Sequence, residues 1–234
     1  MSLFPHADMY YDKSVEINWD EIKCVILDVD GTLYDLFKMR LYIIRHILSS
    51  FFSRHLSIKD LRICMNFRNE REKRAFDTNS DLDNMQYDWA ATASGVSTEK
   101  VREVINKWFF EIPMKYMHSC VYPGVHDFFE ALLKRGIKIA VCSDYPAMEK
   151  LHLLDLRVDC LVSSTDIGVG VLKPHPKGLM TIMNMLSIPG EYCLFIGDRD
   201  DRDGECARRI NMKYLILRRK QGYIFFKRES KRLL

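Results

Sequence analysis

Lys23–Leu33 reads KCVILDVDGTL, an apolar run that stops at two aspartates, a glycine and a threonine. Its apolar residues follow one another without polar alternation, the pattern of a strand covered on both faces in a parallel sheet. Four later runs share this character: Lys138–Asp144 (KIAVCSD), Cys160–Thr165 (CLVSST), Tyr192–Asp198 (YCLFIGD) and Lys213–Arg218 (KYLILR). Helical stretches lie between the later runs, at Met148–Leu156, Lys177–Leu186 and Asp203–Ile210. Another, Val125–Arg135, precedes the second strand and stops at Gly136, a residue suited to a helix C-terminus. The alternation predicts an α/β fold built on an open, parallel, Rossmann-like sheet, with ligands bound beyond the carboxyl ends of the strands.

Between residues 34 and 118 the rhythm changes. Phe37, Leu41, Ile44, Leu48 and Phe51 recur at helical spacing, as do Val101, Val104, Ile105, Trp108 and Ile112. Ser97-Thr98-Glu99 reads as a helix start and Pro113 as an end. The expectation is an all-helical insert at 34–118, interrupting a core formed by 1–33 and 119–234.

The composition narrows the class. A chain of 234 residues, 47% apolar and 29% charged, can bury a core and is neither collagenous nor disordered. No run approaches the roughly 20 apolar residues of a membrane helix, and MSLFPHADMYYDKS lacks the pattern of a secretory leader. The seven cysteines form no C-x-x-C pair and read as reduced thiols in a cytoplasmic protein. Net charge is +3, with seven Lys/Arg against one acid in residues 218–234. Tyr223, Phe225 and Phe226 interrupt that basic tail; anchoring of the tail to the domain is favoured over nucleic-acid binding.

The strand ends carry the chemistry. Asp28 and Asp30 follow the first strand, Ser143 and Asp144 close the second, Lys173 lies after the third, and Asp198 ends the fourth, with Asp200, Asp201 and Asp203 close behind. Carboxylates this crowded repel unless a cation lies between them or one is protonated. A hard divalent ion such as magnesium relieves the crowding and leaves coordination positions for phosphate oxygens. Lys173, the Ser143 hydroxyl and backbone N–H groups near Gly31 and Thr32 could hold the remaining oxygens. This set of groups points to phosphoryl chemistry.

In this order and at these separations, DVDGTL, Ser143, Lys173 before Pro174, and GDRDDRD resemble the four motifs of the haloacid dehalogenase (HAD) superfamily, over residues 23–218. The insert then resembles a generic helical cap. The resemblance implies a magnesium-dependent phosphatase acting on a small phosphorylated metabolite through an aspartyl-phosphate. Asp28 would be the nucleophile and Asp30 the acid and base. Lys173 would steady the nucleophile, Mg2+ would be held by Asp28, Asp30 and Asp198, and phosphate by Gly31, Thr32, Ser143, Asp144 and Lys173. Asp203 is the preferred second acid of the last motif, supporting the site without touching the ion; Asp200 and Asp201 are alternatives. Asp30 favours phosphate-ester chemistry over dehalogenation, but a phosphomutase of the β-phosphoglucomutase kind keeps the same acid. A non-catalytic binding protein is the third reading. In the cap, Arg68 and Arg71 share a helix face and could contact an anionic part of the substrate. The alternative, preferred from sequence, is a solvated face balanced by Glu70 and Glu72.

Overall fold

Five strands form one sheet, all parallel, in the order β3-β2-β1-β4-β5. They are β1 (Cys24–Leu27), β2 (Lys138–Ser143), β3 (Cys160–Ser163), β4 (Cys193–Gly197) and β5 (Lys213–Ile216). Each falls inside a run expected from the sequence. The structure, a computed structural model, describes residues 17–52, 57–75, 77–78 and 81–234, apart from the side chains of 50–52. The stretch read for a leader and the Phe51 side chain lie outside the described residues.

After β1 come α1 (Leu36–Phe52), α2 (Ile58–Lys73), α3 (Leu82–Ser94), α4 (Thr98–Ile105), a π-helical turn (Asn106–Glu111), α5 (Ile112–Met114) and α6 (Met117–Cys120). Then α7 (Val125–Lys134) precedes β2, α8 (Met148–Leu153) follows it, and α9 (Lys177–Leu186) lies between β3 and β4. A second π turn (Asp200–Gly204) leads into α10 (Glu205–Arg208), and α11 (Arg219–Leu233) follows β5. No described helix is long and apolar enough to cross a membrane.

Strand β1 is central, with Leu27 paired to Val141 of β2 and to Ile196 of β4. From β1 the chain builds outward to β3 and then returns to the other side for β4. The strand order therefore reverses beside β1, and the ends of β1 and β4 flank the crevice where such sheets bind ligands. Alternation along β1 explains its continuous apolar sequence. Val25 and Leu27 enter one buried cluster, with Trp19, Phe128, Phe225 and Phe226. Cys24 and Ile26 enter another, with Leu179, Ile182 and Phe195. All seven cysteines are free, and six are buried. The basic tail is anchored as expected, since Phe225 and Phe226 are buried against Phe128. Trp19 also donates its indole N–H to the buried Glu229 of α11 at 3.0 Å.

A third cluster joins Ile63, Phe67, Tyr87, Val101, Val104, Ile105, Trp108 and Ile112 from α2 through α5. Ser97 caps α4 by accepting the Lys100 N–H at 3.3 Å. Helical backbone continues past Pro113 to Met114, because proline fits the first turn of α5, where its missing N–H costs nothing. Helix α1 differs from expectation. Phe37, Leu41, Ile44 and Leu48 lie on its exposed side, while Met39 is buried and Leu36 and Ile43 pack inward. Apolar residues run nearly all round this helix, so periodicity alone could not select the buried face.

Phe128 contacts Trp19, Phe225 and Phe226, tying three separate segments together. Phe128→Ala should destabilise the fold by about 3–5 kcal/mol, read from the urea midpoint. A loss below about 1 kcal/mol would mean that this aromatic junction does not hold the layer together.

Candidate active site

Asp28 follows β1 directly, and its N–H donates to the Ile196 carbonyl of β4 at 2.9 Å. Its buried carboxylate receives Lys173 Nζ on Oδ1 at 2.7 Å and the Thr32 hydroxyl on Oδ2 at 3.0 Å. Lys173 Nζ also donates to Asp203 Oδ1 at 2.6 Å. The other oxygen of Asp203 accepts the N–H groups of Asp198 and Arg199 at 3.1 and 3.0 Å. Two glycines permit this crowding. A Cβ on Gly197 would lie 2.4 Å from Asp203 Cβ, and one on Gly31 would lie 2.2 Å from Asp198 Oδ2. Gly31 also has φ +102°, a conformation that other residues rarely adopt.

Oxygens of Asp28, Asp198 and Asp203 come within 4.8 Å of one another. Their environment disfavours negative charge. Burial, together with the Asp203 and Asp30 carboxylates, outweighs Lys173 and pushes Asp28 up to about 7. Burial, then Asp28 and Asp203, push Asp198 up to about 8. Asp203 is committed to Lys173 and two backbone N–H groups, whereas no hydrogen bond among the described residues reaches the Asp198 carboxylate. Hard oxygens beside an unrelieved excess of negative charge fit a hard divalent cation. Asp28 and Asp198 are the carboxylates that could hold it.

Asp30 lies in a different setting. Its Oδ1 accepts Lys150 Nζ at 2.5 Å and the Tyr34 hydroxyl. Burial alone would raise its pKa, but the Lys150 charge and these two hydrogen bonds hold it below the ordinary value. Lys150 escaped the sequence reading, although a signal was present. Ala147, Lys150, Leu151 and Leu154 share one buried helical face, and a lysine there needs a buried partner.

The remaining expected residues divide. Thr32 and Ser143 are buried; Thr32 bonds Asp28, and the Ser143 hydroxyl accepts the Tyr145 N–H at 3.3 Å. Asp144, expected among the phosphate-binding groups, does not leave its Oδ1 free. Instead Oδ1 accepts the Lys173 N–H at 2.9 Å and the Ser164 hydroxyl at 2.8 Å, fixing the loop that presents Lys173. Asp200 pairs with Arg208 at 2.8 Å and Asp201 with Arg199 at 2.7 Å, so of the three late acids only Asp203 reaches Lys173.

On α2 the solvated-face reading fails for Arg71. Arg71 is buried, bonds Gln86 and donates to the Asp144 carbonyl at 2.6 Å, and lies 4.2 Å from the Tyr145 ring centre. Glu72 reaches across to Arg199 at 2.7 Å and to Arg202. Arg68 remains exposed. A cavity of about 450 Å³ opens onto Asp28, Asp30 and Asp198 and is bounded on its other side by α1, α2 and the first π turn; Arg68 and Arg71 both line it.

Residues 25–217 match the family model described as "Haloacid dehalogenase-like hydrolase". A phosphoglycolate phosphatase of Pseudomonas fluorescens (strain Pf0-1) is 31% identical over 116 residues, covering 46% of this chain and 43% of that enzyme. The chain thus spans less than half the length of that curated relative. A 2-haloacid dehalogenase from Pseudomonas syringae pv. Tomato DC3000 superposes with TM-score 0.57 at 16% identity, over 83% of this chain and 86% of its own. A HAD phosphatase from Thermococcus onnurineus superposes with TM-score 0.55 at 20% identity, over the same shares. At these identities the superpositions establish the shared fold.

Because Asp28 and Asp198 titrate higher folded than unfolded, they favour the folded chain fully at low pH and lose that contribution as pH rises through about 7 and 8. Added magnesium ions should therefore raise the Tm of metal-free protein more at about pH 8.5 than at about pH 5, by binding the folded state where both carboxylates are ionised. An equal shift at both pH values would place the ion elsewhere.

Proposed function

Because the chain belongs to the haloacid dehalogenase-like hydrolase family, we propose that it is a magnesium-dependent phosphatase that hydrolyses a small phosphomonoester through an aspartyl-phosphate. The observation that carries this reading is the convergence of Asp28, Lys173 and Asp203 beside the unpartnered Asp198, with Asp30 two residues from Asp28. In this reading residues 34–118 form the cap, while 1–33 and 119–234 form the catalytic core.

An Asp28 oxygen attacks phosphorus, and the bond from phosphorus to the ester oxygen breaks. Asp30 gives its proton to the departing oxygen. A water then attacks the phosphorus of the aspartyl-phosphate and loses a proton to Asp30, which regenerates Asp28 and frees inorganic phosphate. Lys150 and Tyr34 hold the ionised form of Asp30 that the second step uses. Before the first step, the arriving phosphate dianion favours its protonated form through like-charge repulsion. Lys173 fixes the attacking carboxylate against Asp203 and offsets charge on the transferring group. Gly31, Thr32 and Ser143 complete the phosphate cradle through backbone N–H and hydroxyl groups. Magnesium, held by Asp28, Asp198 and the Asp30 carbonyl, would neutralise phosphate charge.

Hydrolysis of 4-nitrophenyl phosphate with and without magnesium tests the reading. The wild type should release phosphate only with the metal and without a bisphosphate activator, which a mutase would need. Asp28→Asn should lower kcat by on the order of a thousandfold or more, with the fold intact by circular dichroism. Full activity in Asp28→Asn, or turnover indifferent to metal removal, would overturn the proposal.

A further inference from the structure

The cavity beyond the carboxylates is too large and too apolar for the phosphoryl group alone. Its volume of about 450 Å³ lies in the range of sites that enclose drug-sized ligands. Away from the sheet the wall is built from Met39 and Ile43 of α1, Pro113 of α5, and Trp108, Phe109 and Phe110 in succession. Successive α-helical residues turn by about 100°, and a π turn, with its i→i+5 bonds, turns somewhat less per residue and narrows the fan of three in a row. Here they lie in the π turn Asn106–Glu111, and all three reach the same cavity. Such turns are frequent at functional sites. Tyr145, two residues after Ser143, joins this wall to the acid site. Its ring centre lies 6.3 Å from those of both Phe109 and Phe110 and 5.9 Å from Lys150 Nζ.

Charge in the cavity is largely committed. Lys150 pairs with Asp30, Lys173 with Asp28 and Asp203, and Arg199 and Arg202 with Glu72. Arg71 is engaged by Gln86, the Asp144 carbonyl and the Tyr145 face. Arg40 and Arg68 also line the cavity, but both are exposed, where a second anion would remain hydrated.

We infer that the substrate is a phosphomonoester whose alcohol carries an aromatic or comparably flat apolar body, seated on Trp108, Phe109 and Phe110. The inference rests on the phosphatase reading and names its substrate class. A binding contribution from this wall that persists in the transition state raises kcat/KM, not the intrinsic reactivity of the ester.

The test compares 3-phenylpropyl phosphate with propyl phosphate, which have matched alkoxide leaving groups, and with phosphoglycolate, all with magnesium. The phenyl ester should exceed propyl phosphate in kcat/KM by at least about tenfold. Phe110→Ala should collapse that ratio toward unity, and Phe110→Leu should leave an intermediate one. If Phe110→Ala does not fold, the wild-type ratio still decides. Hydrolysis of propyl phosphate or phosphoglycolate at least as efficient as that of the phenyl ester overturns the inference and leaves the phosphatase standing. If none of the esters nor 4-nitrophenyl phosphate releases phosphate, both readings fall together.

Discussion

The ammonium group of Lys173, set between Asp28 and Asp203, is the contact on which the site depends. All three side chains are at least nine-tenths buried, and charges so placed persist only when paired. Burial opposes the charged lysine, yet the two carboxylates raise its pKa well above the ordinary value. Removing one member of such a group leaves an uncompensated charge, at a cost of about 3–5 kcal/mol. The three residues come from the end of β1, the loop after β3 and the π turn after β4. One cluster therefore fixes the relative positions of three distant segments. Asp203 extends the effect by holding the backbone of Asp198, so the residue that anchors the lysine also orients the unpartnered carboxylate.

Sheet and acid cluster were legible for a common reason. Strands buried on both faces must be apolar throughout, so their ends show in the sequence as abrupt changes to polar residues. Asp28, Ser143 and Asp198 stand at those changes, and a parallel sheet brings them to one rim. The resemblance favours Asp203 over Asp200 and Asp201, but several acids crowd one short loop and their partners do not show in the sequence. Its contact with Lys173, which neither Asp200 nor Asp201 makes, singles out Asp203.

What escaped the sequence depends on contacts between helices and the rim. Helix α1 is apolar on nearly every side, so its pattern does not say that Met39 turns inward while Phe37 and Leu41 stay exposed. Arg71 looks like one more charge in a mixed run until Tyr145, Gln86 and the Asp144 carbonyl are found around it. The π turn has no period of its own to read. Trp108, Phe109 and Phe110 look like one buried aromatic and two neighbours, and only the packing of the helices around the cavity brings all three to its wall.

The bridge from Glu72 of α2 to Arg199 and Arg202 joins the helical insert to the turn after β4; Glu72 and Arg199 keep substantial contact with water, whereas Arg202 is largely enclosed. Ion pairs at such exposure are worth at most about 1 kcal/mol each. These pairs alone thus add little to the seam, whose firmer hold comes from buried Arg71 on the Asp144 carbonyl and from Met39 of α1 within the main core. The crossing is layered, a wet outer latch over a dry inner one.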